Sequence, residues 1–206
     1  MDTIDAYLDE VALSIQKLSR EDVRNVVDQL EDAWSRNATI YIIGNGGSAA
    51  TASHMANDLM KCTRVDHARL LRVISLTDNV SIMTAFANDE SYDNIFSAPL
   101  ENLLQPNDVL IAISGSGNSR NVIRACEYAI DNCATVIGLC GDPGGILAKI
   151  STYSVVVPAK LIGQQEDGHL IINHAVSLAL RERIIARREQ HKRTSINMQQ
   201  TQVPTV

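Results

Sequence analysis

The sequence lacks the cysteine pairs, signal peptide and long apolar runs that are typical of zinc-ribbon, secreted and membrane proteins. Its four cysteines, Cys62, Cys126, Cys133 and Cys140, include no C-x-x-C pair, so neither a zinc ribbon nor a dense disulfide framework is indicated. We expect buried thiols in a reducing compartment. The opening MDTIDAYLDEVAL is acidic and lacks a signal-peptide core. No apolar run approaches the ~18 residues of a membrane span, and together these absences favour the cytoplasm.

The chain also lacks an excess of basic residues. Its 18 Lys and Arg are outnumbered by 24 Asp and Glu, for a net charge of -6. General nucleic-acid binding usually needs a basic surface, so we expect no nucleic-acid partner. A phosphate ligand remains open, because backbone amides can bind an anion in an acidic protein.

The sequence does contain a regular alternation of two kinds of segment. Five short, nearly continuous apolar runs have the composition of parallel strands buried on both faces; they span residues 39–43, 70–76, 108–114, 135–140 and 153–158. Between them lie stretches with helical spacing, at 48–61, 79–88, 91–104, 119–132 and 143–150. The alternation predicts an α/β fold with a doubly wound, five-stranded parallel sheet.

Further helices are predicted at the two ends. Residues 3–18 and 20–36 have amphipathic spacing, and one apolar stripe of the first helix contains Ile4, Leu8, Val11 and Ile15. Residues 166–188 predict one long C-terminal helix. Helices added outside a doubly wound core commonly cover a face of it or pack on another subunit.

No internal repeat and no linker divides the chain. We therefore expect one domain over residues 1–188. Residues 189–206 are polar and lack periodicity, so we expect them to form a disordered tail.

Two turns rich in glycine and serine follow predicted strands. They are GNGGSA at 44–49 and SGSGNS at 114–119. In open α/β sheets ligands bind outside the carboxyl ends of the strands, and each turn precedes a helix whose first amides carry partial positive charge. Neither turn matches the dinucleotide or nucleoside triphosphate pattern. A phosphorylated small molecule is one interpretation; ordinary helix caps, for which serine and asparagine are well suited, are the other.

These turns and their surroundings resemble the sugar isomerase (SIS) domain family. The similar stretches are GNGGSAATASHMANDL, LTDN, AFANDESYDNIF, ISGSGNSRNVI and EDGHLIINH, within about residues 2–186. More narrowly, they are similar to the phosphoheptose isomerase branch. The resemblance implies a flavodoxin-like sheet, a phosphorylated sugar as substrate, and a homotetramer with active sites at subunit interfaces.

The resemblance also assigns residues to substrate and phosphate binding. They are Asn45, Gly46, Gly47, Ser48, Asp89, Ser114, Gly115, Ser116 and Ser119. The four serines would bind the phosphate, the glycines would let the backbone approach it, and the Asn and Asp would lie near the sugar. The family usually has a threonine where Gly115 stands, so one hydroxyl donor is absent here while the backbone amide is kept.

A histidine and an acid follow the first turn. His54 and Asp58 are four positions apart and share one helical face. They could form an ordinary pair within the helix. The resemblance instead places a histidine and a catalytic glutamate at these positions, so the carboxylate of Asp58 is one methylene shorter than the family's. Displacing a catalytic base by ~1 Å can greatly lower the rate of the reaction. The shorter acid therefore puts in question which substrate is used and how efficiently.

A second constellation lies in QQEDGHLIINH, residues 164–174. The resemblance makes His174 the second acid/base group, and His169 is then structural or interfacial. Some family members bind zinc through histidine and glutamate of one helix and glutamine and histidine of the other. The corresponding set here is His54, Asp58, Glu166 and His174. Mixed nitrogen and oxygen ligands suit zinc.

The chemistry implied is conversion of a ketose phosphate to an aldose phosphate. A proton moves between C1 and C2 through an enediol, which needs a base near carbon, an acid near oxygen and stabilisation of the developing charge. The resemblance implies sedoheptulose 7-phosphate as substrate, D-glycero-D-manno-heptose 7-phosphate as product, and a place in heptose biosynthesis. Asp58 and His174 would be the catalytic residues.

Two alternatives stay open. One is isomerisation of another ketose phosphate, because the acid at Asp58 and the carboxylate at Glu166 depart from the family pattern. The other is a non-catalytic tetramer that binds a phosphosugar or a replication initiator protein, as some relatives do. Retention of His54, an acid at 58 and His174 favours the enzyme.

Overall fold

A five-stranded parallel sheet forms the centre of the fold. The computed structural model describes residues 2–200, without the side chains of residue 191 and residues 193–200. The strands are Thr39–Gly44 (β1), Arg72–Ser75 (β2), Val109–Ser114 (β3), Thr135–Gly141 (β4) and Tyr153–Val157 (β5). Their order is β2-β1-β3-β4-β5, and all pairs are parallel. The flavodoxin-like sheet that the sequence predicts is confirmed.

Burial of the strands depends on their place in the sheet. Every residue of β1 and β3 is buried, as continuous apolar runs predict. The edge strand β2 instead alternates between exposed and buried residues, and Ile74 is 40% exposed. The expectation that all five strands are buried on both faces is therefore wrong for β2. Val73 joins the apolar cluster that includes α3, whereas Ile74 points to the opposite face and stays exposed.

Helices cover both faces of the sheet. They are Thr3–Lys17 (α1), Arg20–Arg36 (α2), Gly47–Lys61 (α3), Val80–Asp89 (α4), Ser97–Leu103 (α5), Arg120–Asp131 (α6), Gly145–Ile150 (α7) and Ile162–Gln200 (α8). One apolar cluster joins the sheet to α2, α3 and α8, and a second joins it to α5 and α6 on the opposite face. This two-sided packing is the doubly wound arrangement.

One predicted helix, at 91–104, is broken. The structure has a short 3₁₀ helix, Tyr92–Asn94, followed by α5. The Ser91 hydroxyl accepts a hydrogen bond from the backbone amide of Asp93 at 3.1 Å, which starts a separate turn. Pro99 then lies in the first turn of α5, where its missing amide costs no helical hydrogen bond.

The C-terminal helix α8 begins four residues before the predicted start and continues to Gln200. Gly163 does not interrupt it. A Cβ atom at this position would lie 3.0 Å from the Tyr7 hydroxyl, so glycine lets α1 approach α8 closely here. The disordered tail over residues 189–206 stays a prediction, and residues 201–206 lie outside the described part of the chain. Among the described helices, none has the length and apolar character that crossing a membrane requires.

The cysteines are only partly buried. Cys126 and Cys140 are buried, whereas Cys62 and Cys133 are exposed, so the expectation of four buried thiols is wrong for two of them. Both exposed residues follow a helix end: Cys62 is the C-cap of α3 and Cys133 lies in a turn with φ of 60°. Burial raises the pKa of the Cys140 thiol to about 12.

Candidate active site

The two serine-rich turns line one pocket. They follow β1 and β3, which are neighbours in the sheet, with Gly44 paired to Ile113. The pocket has a volume of about 290 Å³ and is lined by Asn45, Gly46, Gly47, Ser48, Ile113, Ser114, Gly115, Ser116, Ser119, Ile162 and Glu166. Eight of the nine residues that the sequence assigns to substrate binding are thus brought together.

The side chains of the two turns do not cap the helices that follow them. Gly46 is the N-cap of α3, with φ of 54°, and no side chain caps that helix. Ser119 is the N-cap of α6, yet its side chain makes no capping hydrogen bond. Its Oγ lies 3.4 Å from the Oγ of Ser114 instead. The cap interpretation therefore does not account for these serines, and the amides and hydroxyls around the pocket can serve an anion.

Asn45 is fixed by a partner that the sequence did not reveal. Its side-chain amide exchanges two hydrogen bonds with that of Asn121, each 2.9 Å long. The Tyr92 hydroxyl also donates to Asn45 Oδ1 at 3.0 Å. Asn121 is 2% exposed, and a buried amide on the inner face of an amphipathic helix is the signal that could have found it.

The first turns of α8 close one side of the pocket. A Cβ atom on Gly115 would meet Ile162 Cδ1 at 2.5 Å and Gln165 Oε1 at 2.8 Å. Gln165 is 6% exposed, and its Nε2 donates to the Ala159 carbonyl at 2.9 Å. The side chains of α8 thus occupy the space of the family's threonine, which explains the glycine here.

A second cluster joins α3 to α8. His54 Nε2 lies 3.2 Å from Asp58 Oδ2, and His174 Nε2 lies 3.6 Å from the same oxygen. The two histidine Nε2 atoms are 3.2 Å apart. The Asp58 side chain is 10% exposed, against 43% and 55% for the two histidines. A buried carboxylate therefore lies beneath two imidazoles that reach the surface.

Asp58 is held by a further residue missed in the sequence. Asn173 is fully buried and its Nδ2 donates to Asp58 Oδ2 at 2.8 Å. Ser177 donates to Asn173 Oδ1 at 3.4 Å. On the other oxygen, Asn57 Nδ2 donates to Asp58 Oδ1 at 3.2 Å. These contacts fix the carboxylate in one orientation, which catalysis by a positioned base requires.

The donor atoms of this cluster fit a zinc ion. Tetrahedral zinc with ligands at about 2.0–2.1 Å separates its ligand atoms by about 3.3 Å, and the three separations here are 3.2, 3.2 and 3.6 Å. The ligand atoms of His54, Asp58 and His174 all lie within 4.8 Å of one another. Three protein ligands would leave a fourth position open for substrate or water.

Two residues lie elsewhere than the family resemblance indicated. Glu166 is outside the His54–Asp58–His174 cluster and lies in the serine pocket, eight residues and about 12 Å along α8 from His174. Asp89 is exposed at the end of α4 and is absent from the residues lining the pocket.

His169 is fully buried. Neither of its ring nitrogens has a hydrogen-bond partner within the described part of the chain. Burial lowers its pKa, and the nearby Cys140 backbone offsets only part of that lowering.

Known proteins share both the fold and the sequence pattern. A family profile described as SIS domain matches residues 6–141. The chain is 37% identical to a phosphoheptose isomerase of Geotalea daltonii over 173 residues, which is 84% of this chain and 89% of that protein. It is 35% identical to a phosphoheptose isomerase of Aquifex aeolicus over 178 residues, 86% of this chain and 93% of that one. The structure of phosphoheptose isomerase GmhA from Neisseria gonorrhoeae matches with a TM-score of 0.79 at 29% identity, covering 86% of this chain and 96% of that chain.

The parallel sheet, with a serine-lined pocket at the carboxyl ends of β1 and β3, is that of a sugar isomerase domain. The chain belongs to the SIS domain family. Within that family it belongs to the phosphoheptose isomerase branch, at 37% identity over most of its length.

Proposed function

We propose that this protein is an aldose–ketose isomerase that converts sedoheptulose 7-phosphate to D-glycero-D-manno-heptose 7-phosphate through an enediol. The observation that carries the proposal is the combination of the two sites. A pocket lined by hydroxyls and backbone amides lies at one end of α3, and a buried carboxylate between two imidazoles lies further along the same helix. The relatives named phosphoheptose isomerase support the substrate class.

The spacing of the two sites supports a long substrate. His54 follows Gly47 by seven residues of α3, which is roughly 10 Å along the helix axis. An extended seven-carbon chain with a terminal phosphate can span that distance. A phosphate held by Ser48, Ser114, Ser116 and Ser119 would thus leave C1 and C2 of the sugar near the cluster.

The proposed chemistry divides the roles among this chain's own residues. Asp58 moves the proton between C1 and C2, because its carboxylate is fixed by Asn173 and is shielded from water. Where no metal is held at its Nε2, His174 would exchange a proton with the substrate oxygen, since its side chain is 55% exposed and can reach a ligand. Asn45 binds a sugar hydroxyl from the rim of the phosphate pocket.

We propose that the metal, where present, is zinc held by His54, Asp58 and His174. Their donor atoms have the separations that zinc requires. A zinc ion there would supply a Lewis acid that stabilises the developing negative oxygen. Asp58 Oδ1 accepts hydrogen bonds from Asn57 and Cys62 and contacts neither histidine. In this proposal it is the oxygen that would act on the substrate.

The proposed assembly is a homotetramer with interfacial active sites. The N-terminal half of the predicted apolar stripe of α1 is not covered by this chain, because Ile4 and Leu8 are 66% and 60% exposed. On α8, Leu178 is 61% exposed. Asp89 belongs to α4, which has no buried residue, and we propose that it reaches the sugar of a neighbouring subunit. The mass of the assembly in solution, measured by light scattering, tests the tetramer.

The remaining parts of the proposal concern organisation and location. We propose that residues 1–188 form one domain, because both apolar clusters draw on the same sheet. We propose the cytoplasm as the location, in line with cysteines that include no C-x-x-C pair. Limited proteolysis and fractionation of the source cells test these two statements.

One assay separates the proposed isomerase from its alternatives. The protein is incubated with sedoheptulose 7-phosphate, with and without zinc, and aldose formation is followed. Turnover supports the isomerase. Binding of the sugar phosphate without turnover supports a phosphosugar-binding protein, and no binding at all rejects both. Turnover only of a different ketose phosphate supports an isomerase with another substrate, which the short acid Asp58 and the carboxylate of Glu166 leave open.

A further inference from the structure

A carboxylate lies inside the pocket proposed for the substrate phosphate. Glu166 is among the residues that line it. If Gly47 carried a Cβ atom, the three nearest atoms would be the carboxylate carbon and the two carboxylate oxygens of Glu166. Gly47 is the first residue of α3. The carboxylate therefore lies at the positive end of that helix, where an anion is stabilised.

Glu166 is also the one charged side chain that lines this pocket within the part of the chain that the structure describes. The other lining residues are glycines, serines, one asparagine and two isoleucines. No lysine or arginine among them could neutralise both a carboxylate and a phosphate. Two anions held side by side without a cation repel each other strongly.

We infer that Glu166, whose carboxylate lies against Gly47 inside the proposed phosphate pocket, acts as a specificity-determining residue against free inorganic phosphate. The inference rests on the proposed function, because it takes this pocket as the site of the sugar's phosphate. A phosphate can enter only when the carboxylate rotates away from Gly47. Glu166 is part-exposed and its side chain is flexible, so this movement needs no backbone change.

The displaced carboxylate discriminates between ligands. A sugar phosphate brings hydroxyl groups that can donate hydrogen bonds to it, and such charge-assisted bonds are strong. Inorganic phosphate has the negative charge but no sugar hydroxyl groups. Nothing then offsets its repulsion by the Glu166 carboxylate. The wild type should therefore bind a phosphorylated polyol more tightly than inorganic phosphate. The ratio of the two dissociation constants should exceed the ratio that the sugar's contacts would give without Glu166.

The test measures dissociation constants by titration calorimetry for two probes, inorganic phosphate and sedoheptulose 7-phosphate, at neutral pH. The variants are Glu166→Gln, which removes the charge at constant shape, and Glu166→Ala, which removes the carboxylate without adding a donor. Glu182→Gln is the matched control, because Glu182 is an exposed acid on the same helix. It removes the same charge far from the pocket.

Both Glu166 variants are expected to bind inorganic phosphate at least about tenfold more tightly than the wild type, because a like-charge contact is removed. Sedoheptulose 7-phosphate should gain much less, so the preference for the sugar phosphate falls, while Glu182→Gln leaves both constants unchanged. Unchanged phosphate binding in both variants, or tightening by Gln but not by Ala, overturns the inference while the wild type still binds the sugar phosphate. If no protein binds either probe, the phosphate pocket of the proposed function fails as well.

Discussion

The Nε2 atoms of His54 and His174 lie 3.2 Å apart, although 120 positions separate the two residues in the sequence. Their rings meet edge to face, with centroids 5.1 Å apart. Asp58 Oδ2 lies within 3.6 Å of both nitrogens. The three groups are close enough to hold one cation between them. Their contact adds to the apolar packing by which α3 and α8 meet.

The first prediction concerns this cluster as a metal site. Wild-type protein should take up about one zinc ion per chain, and His54→Ala and His174→Ala should each weaken zinc binding at least about tenfold, because each loses a nitrogen ligand. Metal analysis after dialysis against a graded chelator measures the difference. His67→Ala is the control, because His67 is an exposed histidine outside the cluster. Equal metal content in all four proteins, or full activity of the wild type in chelator, would contradict the zinc assignment.

The second prediction concerns the proposed base. Asp58→Asn should lower kcat by at least roughly 100-fold, because an amide cannot accept the proton. KM should change little, since the phosphate-binding residues are untouched. The fold should be kept, because the amide oxygen can still accept the hydrogen bond that Asn173 donates to Asp58. Steady-state kinetics beside Asp66→Asn, an exposed acid outside the cluster, provides the comparison. A variant with near wild-type kcat would remove Asp58 from the mechanism.

The third prediction concerns the missing threonine of the second turn. Gly115→Thr should lower the free energy of unfolding by about 1–3 kcal/mol through overpacking, because Ile162 and Gln165 occupy the space of the new side chain. Thermal or denaturant unfolding measures the loss. In a Gln165→Ala background the same threonine should cost less, since the buried amide that it meets is gone. An equal cost in both backgrounds would show that Gln165 is not the obstacle.

The fourth prediction concerns pH and stability. Burial lowers the pKa of His169 below its ordinary value of 6.5. As pH falls below about 6.5, the unfolded chain therefore binds a proton that the folded chain does not, and stability is lost until the lower folded pKa is reached. The free energy of unfolding should fall as the pH is lowered from about 7, with a smaller slope for His169→Leu. Parallel slopes for the two proteins would mean that His169 contributes nothing to the pH dependence.

The sequence predicted the parts of the fold that depend on local pattern. Continuous apolar runs placed the central strands β1 and β3, and their following turns then had to meet at one edge of the sheet. The exposure of Ile74 was not predicted, because an apolar run does not show which face of an edge strand lacks a covering helix. The 3₁₀ helix before α5 begins at a side-chain contact of Ser91, which no periodicity records.

The sequence and the family resemblance predicted the reactive residues of the site. They did not predict the residues that contact and position them. The spacing of His54 and Asp58 gives a shared helical face, and the family resemblance supplied His174. Helical spacing does not say which neighbour a face meets, so the approach of Glu166 to Gly47 was not foreseen. Asn173 was missed for the same reason, because its partner Asp58 lies 115 positions away.

The central claim is tested most directly by kcat/KM for sedoheptulose 7-phosphate, measured against a series of shorter ketose phosphates with the same zinc-loaded protein. The seven-carbon substrate should give the highest value and yield the corresponding aldose phosphate, and Asp58→Asn should abolish its turnover. Absence of aldose from sedoheptulose 7-phosphate, or faster turnover of a shorter ketose phosphate, would contradict the proposed substrate.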